Sequence, residues 1–297
     1  MNYDYLAKIQ AEIQLHTTRV TSNLLDGEFR SIYRGRSLEF DDLKEYSQED
    51  SVRDIDWKSS SKAGKTLVRR YVADKKHNVL FIADSGLKML ADSSAGEPKK
   101  DLALNCLAAT GYIIDRHGDD IAFLSMSSDE IDFVNFQSGM THLQKCLSFY
   151  ERDVDSFKLF REESPYTLKM LMTYALEHIR KHMMIFVITD FAGLDTLDDE
   201  LLAKLTINND VFVFNIDDAY YTSGHAFDMD ENRYVDDYLG SNRLLRALER
   251  TKRGEVVGAM SERCRRYRMN METIKKEDDI IDSIVNLLEK HSHANYG

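Results

Sequence analysis

The chain has 297 residues, with 39 Lys+Arg against 51 Asp+Glu and a formal net charge of −12, a length suited to one large domain or one domain plus an annex. Its 43% hydrophobic and 30% charged residues supply a core and a solvated exterior, which excludes global disorder. Only 2 Pro accompany 14 Gly, which excludes collagen-like and proline-rich classes.

In chain order, residues 1–25 place Leu6, Ile9, Ile13, Val20 and Leu24 at helical steps, which predicts an amphipathic helix that must dock on something. From Gly27 to Lys76 the text breaks into short, charged pieces, of which Thr66–Val72 reads as a strand. After His77, strand and helix signals alternate. Strands are predicted at Asn78–Ala83, Asp120–Met126, Ile131–Phe136, Met183–Thr189, Asp210–Ile216 and Asn270–Ile274. Helices are predicted at Lys99–Arg116, Met140–Glu151, Thr167–Lys181, Leu197–Leu205, Asn242–Arg268 and Asp278–Lys290. Apolar strands alternating with helices predict an α/β fold with a mostly parallel sheet covered on both faces. Two domains are expected, an annex over 1–76 and the α/β domain over 77–297.

No apolar run approaches the roughly 20 residues of a membrane helix, and the N-terminus has neither a basic n-region nor an apolar h-region. A cytoplasmic protein without a membrane span is expected. Cys106, Cys146 and Cys264 are far apart and sit in helical text, so reduced core thiols are expected rather than bridges or a zinc site.

Several short motifs fail on inspection. Ala63-Gly64-Lys65-Thr66 resembles the tail of a phosphate loop, but Ser59 stands where its first glycine belongs and no apolar strand precedes it. Asp228, Asp230 and Asn232 match the start of a calcium loop, yet Arg233 and Leu239 replace its glycine and its bidentate glutamate. His178 and His182 lie one turn apart, but Ile179 follows where a zinc peptidase needs glutamate. No nucleophile with a plausible base emerges, so catalysis is not expected.

Acids at strand ends remain. In an open α/β sheet, ligands bind beyond the carboxyl ends of the strands, near the switch in strand order. Asp84 follows one predicted strand and Asp190 follows another, so the two carboxylates converge either on a cation such as magnesium or on the helices that each would cap.

One long stretch carries a family resemblance. Arg34-Gly35-Arg36-Ser-Leu-Glu39-Phe40-Asp41, then Arg53-Asp-Ile-Asp56-Trp57, then Arg69-Arg-Tyr71, is similar to the signature of bacterial proteins called domain of unknown function 58. That family is von Willebrand factor A-like and is associated with MoxR-type AAA+ ATPases. The resemblance implies a doubly wound, mostly parallel sheet with helices on both faces plus a small N-terminal helical and β annex. In A domains the metal ion-dependent adhesion site takes an Asp-x-Ser-x-Ser turn, a threonine and a second aspartate. Asp84, Thr167 and Asp190 match three of these elements, whereas Gly86 and Lys88 stand where the two serines belong. The resemblance thus implies a degenerate site in which magnesium has lost two hydroxyl ligands. Lys88 either supplies an internal ammonium in the cation's place or points to solvent.

Arg34, Arg36, Arg53 and Arg69 interleave with Glu39, Asp41 and Asp56 around the single Trp57, which predicts an internal ion-pair network, or else a surface that a partner reads. Residues 242–276 hold 11 Lys+Arg and 4 Glu, whereas residues 190–238 hold 13 Asp+Glu and 2 basic residues. Such patches steer partners, although the net charge and the lack of a reading motif disfavour nucleic acid. The expected function is that of a non-enzymatic adaptor, which the resemblance pairs with a MoxR-type AAA+ ATPase and its protein clients. The alternative is a metal-dependent hydrolase or ligand-binding module using the Asp84, Thr167 and Asp190 crevice.

Overall fold

The computed structural model describes residues 39–47, 50, 52–72, 76–160, 167–220, 227–228, 233–234 and 242–295. The helix predicted over 1–25, together with Arg34, Gly35 and Arg36, lies outside these residues, as does most of the rejected calcium loop.

N-terminal to the main sheet, β1 (Glu39–Glu45) pairs antiparallel with β2 (Leu67–Val72), setting Glu39 opposite Val72, Phe40 opposite Tyr71 and Leu43 opposite Arg69. Arg53 lies in the 3-10 turn Val52–Asp54 between the strands. Helix α1 (Trp57–Ala63) begins at Asp56, whose carboxylate accepts from the Ser59 N–H at 3.0 Å, and ends at Gly64 with φ 67°, a left-handed conformation that glycine adopts without a Cβ penalty. The Gly64-Lys65-Thr66 stretch is therefore a helix stop rather than a phosphate cradle. Ion pairs Lys44–Asp50 and Lys65–Glu45, each at 2.5 Å, lie on the surface. Trp57 is 68% exposed, so it is not the buried hub of an internal network. As the first residue of a helix with no buried residue, its ring has no core to enter.

The main sheet contains β3 (Asn78–Ala83), β4 (Asp120–Met126), β5 (Ile131–Gln137), β6 (Met184–Asp190), β7 (Asp210–Ile216) and, last in the chain, β10 (Asn270–Ile274). Its spatial order is β10-β7-β6-β3-β4-β5, all parallel except β5, which returns antiparallel to β4 through the Ser127–Glu130 turn. The chain winds outward from β3 to β5, then crosses back to β6 on the other side of β3. The switch in strand order therefore falls between β3 and β6. This is a doubly wound arrangement. A small pairing of β8 (Phe227–Asp228) with β9 (Arg233–Tyr234) lies outside this sheet.

Because side chains alternate along a strand, the sheet has two apolar faces. Val79, Phe81, Phe186, Phe212 and Phe214 meet α2 (Lys99–Arg116), α3 (Met140–Phe160) and α8 (Ile280–Asn295). Leu80, Ile82, Ile185 and Val187 meet α4 (Leu168–His178), α6 (Asp199–Ile207) and the C-terminal part of α7 (Arg243–Arg266). Across the strands Phe81 stacks on Phe186 at 5.4 Å and Phe186 on Phe212 at 4.8 Å, so one aromatic row ties three strands together. Helix α2 is buried continuously from Leu102 to Ile114, because α3 and α8 cover what the sheet does not. Helix α3 runs past the predicted Glu151, since Val154 and Phe157 extend its buried stripe. All three cysteines are free and buried. His178 stacks on Tyr174 and its Nδ1 lies 3.0 Å from the Tyr174 carbonyl, both contacts within one exposed helix face.

Candidate functional site: two aspartates and two lysines at the switch point

Asp84 follows β3 and Asp190 ends β6, so the topology brings both to the C-terminal edge at the switch point. Both are buried. After Asp84 the chain turns through Ser85 and Gly86 into the 3-10 helix Leu87–Leu90, one turn of which returns the Lys88 side chain toward the sheet. After Asp190 the chain enters the short helix α5 (Phe191–Asp195), and Asp190 caps it by accepting from the Gly193 N–H at 2.9 Å.

Between the carboxylates sits Lys88, its Nζ 2.6 Å from Asp84 Oδ2 and 3.1 Å from Asp190 Oδ1. The ammonium is in the position that the resemblance assigns to a cation. Asp84 and Asp190 thus act both as turn caps and as a pair of counter-charges. A second ammonium, Lys99 at the first position of α2, lies 2.7 Å from Asp190 Oδ2, is 1% exposed, and also pairs with Asp218 beyond β7. The loop before α2 delivers it: Asp92 bridges Pro98, and the Lys99 N–H donates to the Ala91 carbonyl.

All four carboxylate oxygens of the pair are engaged. Asp84 Oδ1 accepts from the Gly86 N–H at 3.1 Å, while Oδ2 accepts from the Thr189 hydroxyl at 2.9 Å as well as from Lys88. Asp190 Oδ1 takes Gly193 N–H and Lys88, and Oδ2 takes Lys99. Burial favours the neutral form of Asp190, but Lys99 and Lys88 overcome it and hold the carboxyl down to about 2. Burial likewise works against the charge on Lys88 and Lys99, and their aspartate partners outweigh it, raising both. Burial, with a smaller push from Asp190, raises Asp218 despite Lys99.

Gly193 closes the site. A Cβ there would lie 2.1 Å from Thr189 Oγ1, 2.6 Å from Lys88 Nζ and 2.9 Å from Asp84 Oδ2. The α5 backbone can approach the ion pairs only without a side chain.

These residues do not fit a divalent cation. Magnesium demands near-octahedral oxygen at about 2.0–2.1 Å, whereas the space between Asp84 and Asp190 holds an ammonium. A divalent ion about 4 Å from one such ammonium would meet roughly 8 kcal/mol of repulsion at an effective dielectric of about 20. Nor do the other ligand positions help. Gly86 offers a backbone N–H, Ser85 turns its hydroxyl to the Met126 carbonyl, and Thr167 is exposed at the N-cap of α4 without a side-chain capping bond. The hydroxyl on Asp84 comes from Thr189, one residue before Asp190.

From this site the charge network continues outward. Arg253 on α7 donates to the Asp218 carbonyl and, at 3.1 Å, to the Ala219 carbonyl; it lies 3.5 Å from Asp217 and stacks over Tyr220. These contacts pin α7 beside the switch point. Between α7 and the sheet edge opens a groove of about 510 Å³ whose walls include Phe191, Asn215, Asp218, Leu245, Leu248 and Val256.

The fold is a doubly wound, mostly parallel α/β sheet with an antiparallel edge strand, and at its switch point lysines sit between paired aspartates. The chain belongs to the family described as "Protein of unknown function DUF58", which matches residues 42–219. Among solved structures it is similar to the conserved hypothetical protein BatB from Bacteroides thetaiotaomicron, at 13% identity, TM-score 0.43, and coverage of 73% of this chain and 99% of that one. It is also similar to a von Willebrand factor type A protein from Catenulispora acidiphila, at 8% identity, TM-score 0.39, and coverage of 76% and 44%. A third is the pilus adhesin SpaC from Lactobacillus rhamnosus GG, at 8% identity, TM-score 0.41, and coverage of 74% and 31%. No curated protein matches the chain. Among the described residues, no helix is long and apolar enough to cross a membrane.

Proposed function

We propose that the chain is a non-enzymatic, cytoplasmic interaction module that works as an adaptor for a MoxR-type AAA+ ATPase in assembling or maturing other protein complexes. The observation that carries this reading is the face of α7 beside the switch point. Leu245, Leu248, Glu249, Lys252, Arg253 and Val256 line the groove at helical spacing, and the neighbouring Leu244 is 79% exposed. Apolar side chains rimmed by charge are what a protein partner buries. The aspartates at the switch point support the non-enzymatic part, because Lys88 and Lys99 neutralise the groups that would otherwise serve as base or nucleophile.

The test is capture of the tagged chain from native lysate with ATP, with the co-purifying chains identified. Recovery of an AAA+ ATPase that is lost in the Leu245→Asp/Leu248→Asp variant supports the reading. Capture without an ATPase, or capture of one indifferent to the substitutions, contradicts it.

A further inference from the structure

We propose that Lys88 is a tethered replacement for a divalent cation, so that the switch-point face is assembled permanently and without metal. The inference concerns the site alone and does not depend on the ATPase reading. It rests on geometry. One ammonium contacts both aspartates, at 2.6 and 3.1 Å, bridging β3 to β6 as a shared metal would.

The surroundings are built around that ammonium. Thr189 directs its hydroxyl at Asp84, Gly193 donates to Asp190, and Gly193 lacks the Cβ that would otherwise stand 2.6 Å from Lys88 Nζ. Lys99 holds the remaining Asp190 oxygen from the opposite side. A covalently attached cation has no dissociation constant, so chelators and changes in magnesium level leave the face unchanged. An exchangeable metal would make the same face conditional.

On this proposal the decisive exclusion of metal lies at position 88, where one ammonium occupies the space between both aspartates while Lys99 holds only the outer Asp190 oxygen, and it is reversible there. Serines at 86 and 88 remove the ammonium and add two hydroxyls beside Asp84. Gly86 has room for the change, since a Cβ there lies 3.4 Å from its nearest neighbour, Asp84 Oδ1.

The test is calorimetric titration of the full chain with manganese, together with thermal melts in excess magnesium or EDTA. The wild type is expected to give no binding heat and a Tm that moves by less than about 1 °C, where a site at about 100 times its Kd would raise Tm by roughly 5–10 °C. The Gly86→Ser/Lys88→Ser variant is expected to bind one manganese ion and to gain a Tm increase of that size. If that variant does not fold, Lys88→Ala opens the same place and carries the comparison. Stoichiometric manganese binding by the wild type that disappears in Asp84→Asn overturns the proposal. So does a folded position-88 variant that still binds none.

Discussion

Replacing Lys99 by Met is the most informative perturbation of the site. Methionine keeps much of the length of the chain and removes the charge. Removing one partner of a buried ion pair costs about 3–5 kcal/mol when the other is left uncompensated. Here the compensation is partial: Asp190 keeps Lys88 at 3.1 Å and the Gly193 N–H at 2.9 Å, and Asp218, whose side chain is 34% exposed, can rehydrate. The expected loss is therefore near the lower end, about 3 kcal/mol, or a fall in Tm of roughly 10 °C for a domain of this size. Urea unfolding read by circular dichroism measures it. Adding Asp190→Asn removes the orphaned charge, so the double variant should recover roughly 1–2 kcal/mol of the sum of the single losses. A loss below about 1 kcal/mol, or strict additivity, would refute a buried ion-pair network in which Lys99 is central.

Other expectations follow from the same geometry. Gly193→Ala should destabilise by about 1–3 kcal/mol in the same assay, because its Cβ enters contact distance of Thr189, Lys88 and Asp84; a neutral result would mean that α5 stands farther from the ion pairs. Asp190 is depressed from an ordinary 3.8 to about 2, so its contribution, roughly 2–3 kcal/mol, is fully present above the unfolded value and lost as pH falls through the folded one. Unfolding free energies between pH 5 and pH 2 should fall less steeply in Asp190→Asn than in wild type, and parallel curves would contradict that assignment. Burial pushes the Cys146 and Cys264 thiols up to about 12 and about 11, and Cys106 further still. A thiol reagent at pH 8 should therefore label the native protein slowly and all three cysteines at once on unfolding; fast labelling of the native chain would show a thiol outside the core.

The fold was largely legible because its signals are periodic. Short apolar strands ending in Asp84 and Asp190 announce a parallel sheet with acids at its edge, and the polar stretch Ser127–Glu130 announces the antiparallel return. Half the site was equally legible, since Lys88 stands at a position that the family resemblance assigns to a hydroxyl. The other half was not. Lysine is almost never fully buried, and Lys99 follows Pro98 at the start of a helix, where its text reads as solvent-facing; only the loop folding back on Ala91 places it in the interior. Asp218 and Arg253 meet through tertiary contacts between a strand end and a helix residue 35 positions later, for which no local pattern exists. Thr167 matched a motif element by order along the chain, whereas Thr189 reaches Asp84 because β6 lies beside β3. Trp57 stands amid the interleaved charges that predicted an internal network or a partner surface, yet side-chain identity alone does not distinguish a buried hub from an exposed ring on a helix without buried residues.

An ammonium, not a metal, joins the two aspartates. A crystal structure grown in manganese, with an anomalous difference map, tests it most directly. The expected map shows Lys88 Nζ between Asp84 and Asp190 with no anomalous peak beside them. A peak coordinated by both carboxylates, with the Lys88 side chain turned away, would contradict it.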